Sequence, residues 1–310
     1  MTTQPVPRFE DLPLREGDPP FSAWGLWENS QLGALNYLTD ENVLKAAKEI
    51  QTGQRVGLNP ALLGRAGFEK KMVNKAPRIV NDDVITFNTQ GSAQWDSFRH
   101  FGYQQEKKFY NGVTQADIHS ANDTTINGID AWAERGIAGR GVLVDYFSWA
   151  QEKGIQYDTT QRHPISLDHV KTILEEKSVQ IRAGDILFLR TGFVQGYSKL
   201  EARAREEYKS GHSWPGLAQS KDTLKWLWEQ QFAAVAADNP AFEVFPPVEP
   251  DFLCHPVLLS GWGTPIGELF DLEGLSKICK RLGRWTFFLS SAPLNYRGVV
   301  ASPPNIIAFF

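Results

Sequence analysis

Two runs constrain the fold of this chain most: Gly141-Val142-Leu143-Val144-Asp145-Tyr146 and Asp185-Ile186-Leu187-Phe188-Leu189-Arg190. Each carries an uninterrupted apolar stretch of strand length, so both faces of the strand need cover. Between them Ser166 stands as the N-cap of a helix whose apolar residues Val170, Ile173 and Leu174 recur at helical spacing. Strand, helix, strand in that order is the unit of a sheet flanked by helices. The alternation continues with a helix over 221–231, a short buried strand over 233–237, a helix over 272–281 and a strand over 285–289. The chain ends on the apolar run Ile306-Ile307-Ala308-Phe309.

Upstream, Thr39 caps a helix with Asp40 and Glu41 in its first turn. Val43, Leu44, Ala47 and Ile50 supply its apolar stripe, and Gly53 sits where it should stop. A strand around 55–58 precedes a long excursion to about residue 78, and 84–87 reads as a further strand. The fold class is therefore α/β. Residues 1–23, rich in proline and charge, read as an irregular arm, and 24–310 as one domain with no internal repeat or linker.

The bulk numbers exclude more than they identify. A net charge of −4 over 310 residues gives no reason to expect nucleic acid or a membrane surface as partner. No apolar segment approaches the roughly 20 residues of a membrane span. The N-terminus has no basic region followed by an apolar run, so no secretory signal is expected. The 2 cysteines, Cys254 and Cys279, form no close-spaced metal or redox motif and point to free thiols in a reducing compartment, hence a cytosolic protein. No phosphate-cradling glycine loop and no Gly-x-Ser-x-Gly elbow occurs, so no nucleotide cofactor and no serine nucleophile is expected. His163, His169 and His212 read as solvated or structural.

Chemistry concentrates in Gln90 to His100. Asp96 and His100 lie where a strand end passes into a turn, which can aim a carboxylate and an imidazole into one cavity as a proton-handling pair. The segment Gln90-Gly91-Ser92-Ala93-Gln94-Trp95-Asp96-Ser97-Phe98-Arg99-His100 resembles the signature of the cyclase family that includes kynurenine formamidases and isatin hydrolases, His-x-Gly-Thr-His-x-Asp-x-Pro-x-His. Asp96 takes the place of its metal-binding aspartate and His100 that of its proton-handling histidine. Gln90 and Gln94 stand where the two metal-binding histidines belong, which makes this a divergent branch.

The resemblance runs along nearly the whole chain. Gln31-Leu32-Gly33-Ala34-Leu35-Asn36 is similar to the family's N-terminal Gln-Leu-Gly-Thr-Leu-Asn segment, and Gly184-Asp185-Ile186-Leu187-Phe188-Leu189-Arg190-Thr191-Gly192 to its Gly-Asp-x-Leu-x-x-Arg-Thr-Gly element. Gly139 to Asp145, Ala237-Asp238-Asn239-Pro240 and Ala292-Pro293-Leu294 fit in order. The resemblance implies a β-barrel-like core surrounded by helices and a dimer or larger homo-oligomer. It also implies that His255, followed by Glu268, completes a metal centre.

Three functions follow from these residues. In the first, one divalent ion, manganese or zinc, is held by Asp96, His255, Glu268 and Gln94, and His100 is the acid/base in hydrolysis of a formamide, lactam or lactone. Carboxamides are weak zinc ligands compared with imidazole, so a harder ion is less affected by the two glutamines. In the second, no metal takes part: His100 and Asp96, with Glu268 as a further carboxylate, catalyse isomerisation, dehydration or cyclisation of an aromatic or polyketide-like product of secondary metabolism. Gln90 and Gln94 then bind substrate oxygens. Trp95, Phe98, Phe101 and Tyr103, with His119 near the pocket mouth, are the candidate substrate-binding wall, although such aromatics also serve as core. In the third, the fold is kept as a small-molecule binder without turnover.

Overall fold

The computed structural model describes residues 5–60, 67–120, 124–210 and 213–310; His212 lies outside the described residues. Its strands begin with β1 (Arg55–Gly57), β2 (Phe68–Asn74), β3 (Asn81–Phe87), β4 (Gln94–Asp96) and β5 (Ile137–Val144). There follow β6 (Pro164–Ile165), β7 (Ile186–Leu189), β8 (Gly216–Leu217), β9 (Ala234–Ala237) and β10 (Ile266–Glu268). β11 (Thr286–Ser291), β12 (Ala301–Ser302) and β13 (Ile306–Phe309) complete the set.

Nine of them form one curled sheet, a half-barrel in the order β1-β13-β11-β5-β7-β9-β10-β4-β12, with helices around it. β5, β7, β9 and β10 run parallel, and the remaining pairs are antiparallel. The continuous apolar runs behave as expected: every residue of β7 and β9 is buried. Ser166 caps the helix Leu167–Glu176 by accepting from the His169 N–H, and Val170, Ile173 and Leu174 are its buried face.

Two local expectations change. The Thr39-capped helix spans Asp40–Ala46 and tightens into a 3-10 turn, Ala47–Glu49, before reaching Gly53. Its buried residue is Ala46, whereas Leu44 and Ile50 are exposed, so the inward face is rotated away from the stripe read by spacing. The excursion before residue 78 contains a strand: β2 pairs with β3 in a separate hairpin, Phe68 opposite Phe87 and Asn74 opposite Asn81.

The N-terminal segment docks through indole and phenol donors. Trp228 donates to the Pro7 carbonyl, Trp262 to Phe21 and Tyr103 to Pro20, and Phe9 is buried. The Gln31-to-Asn36 element is held by close backbone approach: the Ala34 N–H donates to the Gly263 carbonyl at 2.7 Å. Gly33 adopts φ +51°, and a β-carbon there would collide with that carbonyl and lie 2.6 Å from Phe98 Cζ. Gly33→Ala is therefore expected to destabilise the protein by about 2–4 kcal/mol through left-handed backbone strain plus overpacking. Urea unfolding would read this as a lower midpoint at unchanged slope, and an unchanged midpoint would refute it.

Candidate active site

The site is built where β4 meets β10. The two strands are antiparallel with Gln94 opposite Glu268, Trp95 opposite Gly267 and Asp96 opposite Ile266. Successive side chains of a strand point to opposite faces. Gln94 and Asp96 therefore share one face with Glu268, and Trp95 takes the other. Gln94 Nε2 donates to Glu268 Oε2 at 2.6 Å and to Gln90 Oε1 at 3.0 Å, and Gln90 Nε2 donates to Asp96 Oδ1 at 2.5 Å.

After β4 the chain turns, the His100 N–H donating to the Ser97 carbonyl. Arg99 anchors this turn, its guanidinium donating to the carbonyls of Ile126, Gly298 and Thr124. His100 is thereby held at the rim of the site.

His255 arrives from the opposite side, immediately before a buried π-helix, Pro256–Trp262. Wide π turns displace a side chain from its regular helical direction and recur at functional sites. Its Nδ1 is 2.9 Å from Glu243 Oε1 and its Nε2 3.1 Å from Glu268 Oε1. Glu243 is itself saturated: it accepts from the backbone N–H groups of Cys254 and His255 and from Gln219 Nε2. Burial disfavours the imidazolium, but hydrogen bonds and charge from Glu243 and Glu268 outweigh it and raise the His255 pKa to about 10. Burial likewise works against the Glu243 carboxylate, and the His255 and backbone donors overcome it and hold its pKa below the usual range. Burial, with Glu243 nearby, pushes the Cys254 thiol up, which removes it as a nucleophile.

Donor atoms of Asp96, His100 and His255 lie within 4.8 Å of one another. Beside them opens a cavity of about 520 Å³, with Gln90, His100, His255 and Glu268 at one side and Phe101, Trp214, Phe245 and Leu253 as walls.

The fold thus brings together Gln90, Gln94, Asp96, His100, Phe101, His255 and Glu268. It separates four residues expected in the substrate wall. Trp95 is fully buried on the far face of β4, edge-on to Phe270 and donating to Ser291 Oγ. Phe98 packs on Tyr110 and Trp132 in the core. Tyr103 points to the N-terminal segment through its Pro20 bond. His119 is exposed at the end of the helix Gln115–His119, beside Gln115. Phe101 keeps its expected place in the wall, and the rest is supplied by Trp214, Phe245 and Leu253, which no motif marks. Glu243 is likewise absent from any motif, although a lone carboxylate inside the apolar run Pro240-Ala241-Phe242-Glu243-Val244-Phe245 is a readable signal of a buried, partnered charge.

His163 and His169 pack against Tyr146 in a separate aromatic cluster. Among the described residues, no helix is long and apolar enough to cross a membrane.

Comparison with known proteins places this geometry in a family. A model of the Cyclase family matches residues 19–244. A solved structure described as a novel cyclase is 33% identical with a TM-score of 0.81, over 93% of this chain and 99% of that one. Isatin hydrolase A from Ralstonia solanacearum matches at 14% identity and TM-score 0.58, over 87% and 97% of the two chains. An isatin hydrolase bound to the product analogue thioisatinate matches at 15% identity and TM-score 0.57, over 89% and 97%. These two likenesses carry the fold alone. No curated protein sequence matches. With the family model spanning most of the chain, and a solved cyclase aligned over nearly all of it, the chain belongs to the Cyclase family.

Proposed function

We propose that this protein is a small-molecule hydrolase that opens a C–N or C–O bond of a formamide, lactam or lactone carried on a flat substrate. The observation that carries the reading is the convergence of Asp96, His100 and His255 within 4.8 Å beside an aromatic-walled cavity. Such a cavity suits a planar ring, and the polar cluster suits water activation at its edge.

The residues fit a divalent ion. Asp96 offers a carboxylate, and Gln94 Oε1 is buried with no hydrogen-bond partner among the described residues, an atom that a cation would satisfy. Glu243 orients the His255 ring through Nδ1, as outer carboxylates do for metal-bound histidines, which leaves Nε2 to face inward. We assign Asp96, His255 and the Gln94 carbonyl as the residues that would hold the ion. It would supply a Lewis acid for the substrate carbonyl. Glu268, expected as a ligand, contacts His255 Nε2 and Gln94 Nε2; with an ion on Nε2 it would release the histidine and, in this reading, orient the Gln94 amide. His100, at the cavity rim, takes the proton from the attacking water and returns it to the leaving nitrogen or oxygen.

One observation favours a second reading. Glu243, His255, Glu268, Gln94, Gln90 and Asp96 form a continuous chain of polar contacts, and the two carboxylates on its ring nitrogens favour the protonated form of His255. That arrangement equally suits metal-independent isomerisation, dehydration or cyclisation, with an imidazolium at His255 as proton donor and His100 with Asp96 as the base pair.

Elemental analysis of protein purified without chelator, paired with a screen of aryl formamides, lactams and lactones, tests the choice. Near-stoichiometric metal is expected, with hydrolysis falling at least about 100-fold on chelation and returning with manganese. Turnover that is indifferent to chelation would move the protein to the second reading. A fully metal-loaded protein with no turnover on any substrate class would leave it a binder.

A further inference from the structure

The cavity beside the site carries fixed charge of one sign. Asp96, Glu243 and Glu268 are buried carboxylates, the last two line the cavity itself, and no lysine or arginine joins them among the described residues. Two arginines near the lining residues are committed elsewhere. Arg99, beside His100, donates to the carbonyls of Ile126, Gly298 and Thr124, and Arg162 donates to the Pro246 carbonyl next to Phe245. With His255 as imidazolium, three carboxylates against one cation leave a surplus of two negative charges. With a divalent ion and a neutral His255, three carboxylates against two positive charges still leave a surplus of one.

We propose that the cavity selects its substrate by charge: it takes a flat ring that is uncharged or bears an amine, and Glu268 is the residue that turns away rings bearing an anionic group. The inference rests on the cavity being the substrate site of the hydrolase described above. Glu268 has this role, rather than Glu243, because of what each carboxylate meets. Glu243 is covered by the N–H groups of Cys254 and His255, the Gln219 amide and the His255 Nδ1 side of the ring. Glu268 contacts the neutral Gln94 amide and His255 Nε2, and an ion on Nε2 would remove the second of these. Its negative charge is thus the one left to act on the cavity.

An anionic substituent entering this space would give up its water, find no cation and meet like charge, and each of these disfavours it. The walls add no such penalty to an ammonium. Trp214 and Phe245 are stacked with ring centroids 5.0 Å apart, and Phe101 lies across the same cavity. Aromatic faces pack against uncharged rings and also attract cations.

Isothermal titration calorimetry of the full chain tests the proposal with three quinolin-2-ones, which carry a carboxylate, a carboxamide or an aminomethyl group on the benzo ring, remote from the lactam. The carboxylate compound should bind about 10–100-fold more weakly than the carboxamide, and the amine at least as tightly as the carboxamide. That order should hold in chelated and in manganese-treated protein, since the surplus has the same sign in both. Glu268→Gln should narrow the gap between carboxylate and carboxamide at least about fivefold and leave the carboxamide within about twofold of wild type. Leu253→Lys, which puts a cation on the apolar wall, should bring the carboxylate compound to parity or better, and it keeps the test independent of how well the Glu268 variant folds. Equal binding of carboxylate and carboxamide by the wild type would overturn the proposal while leaving the hydrolase reading in place. A gap that a folded Glu268→Gln leaves unchanged would overturn the assignment to Glu268. Failure of all three compounds to bind would remove the cavity as a site for flat amides, and the proposal would fall together with that reading.

Discussion

Glu243→Ala should destabilise the fold by about 3–5 kcal/mol and abolish turnover in the same step. The carboxylate is fully enclosed and takes every donor around it: the N–H groups of Cys254 and His255, the His255 ring and the Gln219 amide. Alanine leaves those donors buried without an acceptor and leaves the His255 charge to the carboxylate of Glu268. Glu243→Gln separates the two losses. A carboxamide keeps one acceptor oxygen and the volume, so most of the stability should return. The His255 ring loses its charged orienting partner, and kcat should still fall by roughly 10–100-fold. Thermal unfolding and kcat measured on both variants check this. Equal stability of Glu243→Ala and wild type would mean that the enclosed carboxylate is not carrying the His255 side of the site.

How far the sequence foretells this arrangement depends on whether the signal is local. β5 and β7 are legible because a strand buried on both faces writes itself as a continuous apolar run. Ser166 and Thr39 are legible because a cap is a contact within three residues. The hairpin is half visible: β3 shows in the sequence, and β2, with Glu69, Lys70 and Lys71 along it, has no buried face to produce alternation.

The site divides along the same line. Gln90, Gln94, Asp96 and His100 stand in one motif, and family resemblance links them to His255 and Glu268. Nothing local ties Glu243 to His255, because the contact depends on how the 239–243 turn meets the π-helix. Trp95 is the instructive miss. Once Gln94 and Asp96 are taken to face the cavity from a strand, period-two alternation already sends Trp95 to the core. Phe98, two residues beyond the strand end, follows the turn that Arg99 fixes, which no periodicity describes.

His100→Ala should lower kcat/KM by about 10²–10⁴-fold, the usual contribution of a positioned acid/base, while leaving stability nearly unchanged. The contrast with Glu243 rests on burial. His100 is half-buried at the cavity rim, with its turn held by the Arg99 anchor and by backbone bonds that alanine retains. If His100 handles the proton, the loss should fall on kcat rather than KM. Small imidazoles added to the alanine variant should recover part of the rate, because the vacated volume opens onto the cavity. A loss confined to KM would instead make His100 a substrate contact. If His100→Ala turned over normally, proton transfer would have to move to Asp96 or Glu268, and neither enzymatic reading would stand. Rescue by imidazole together with wild-type metal content would place His100 among the reacting groups and outside the ligand set, which separates its role from that of His255.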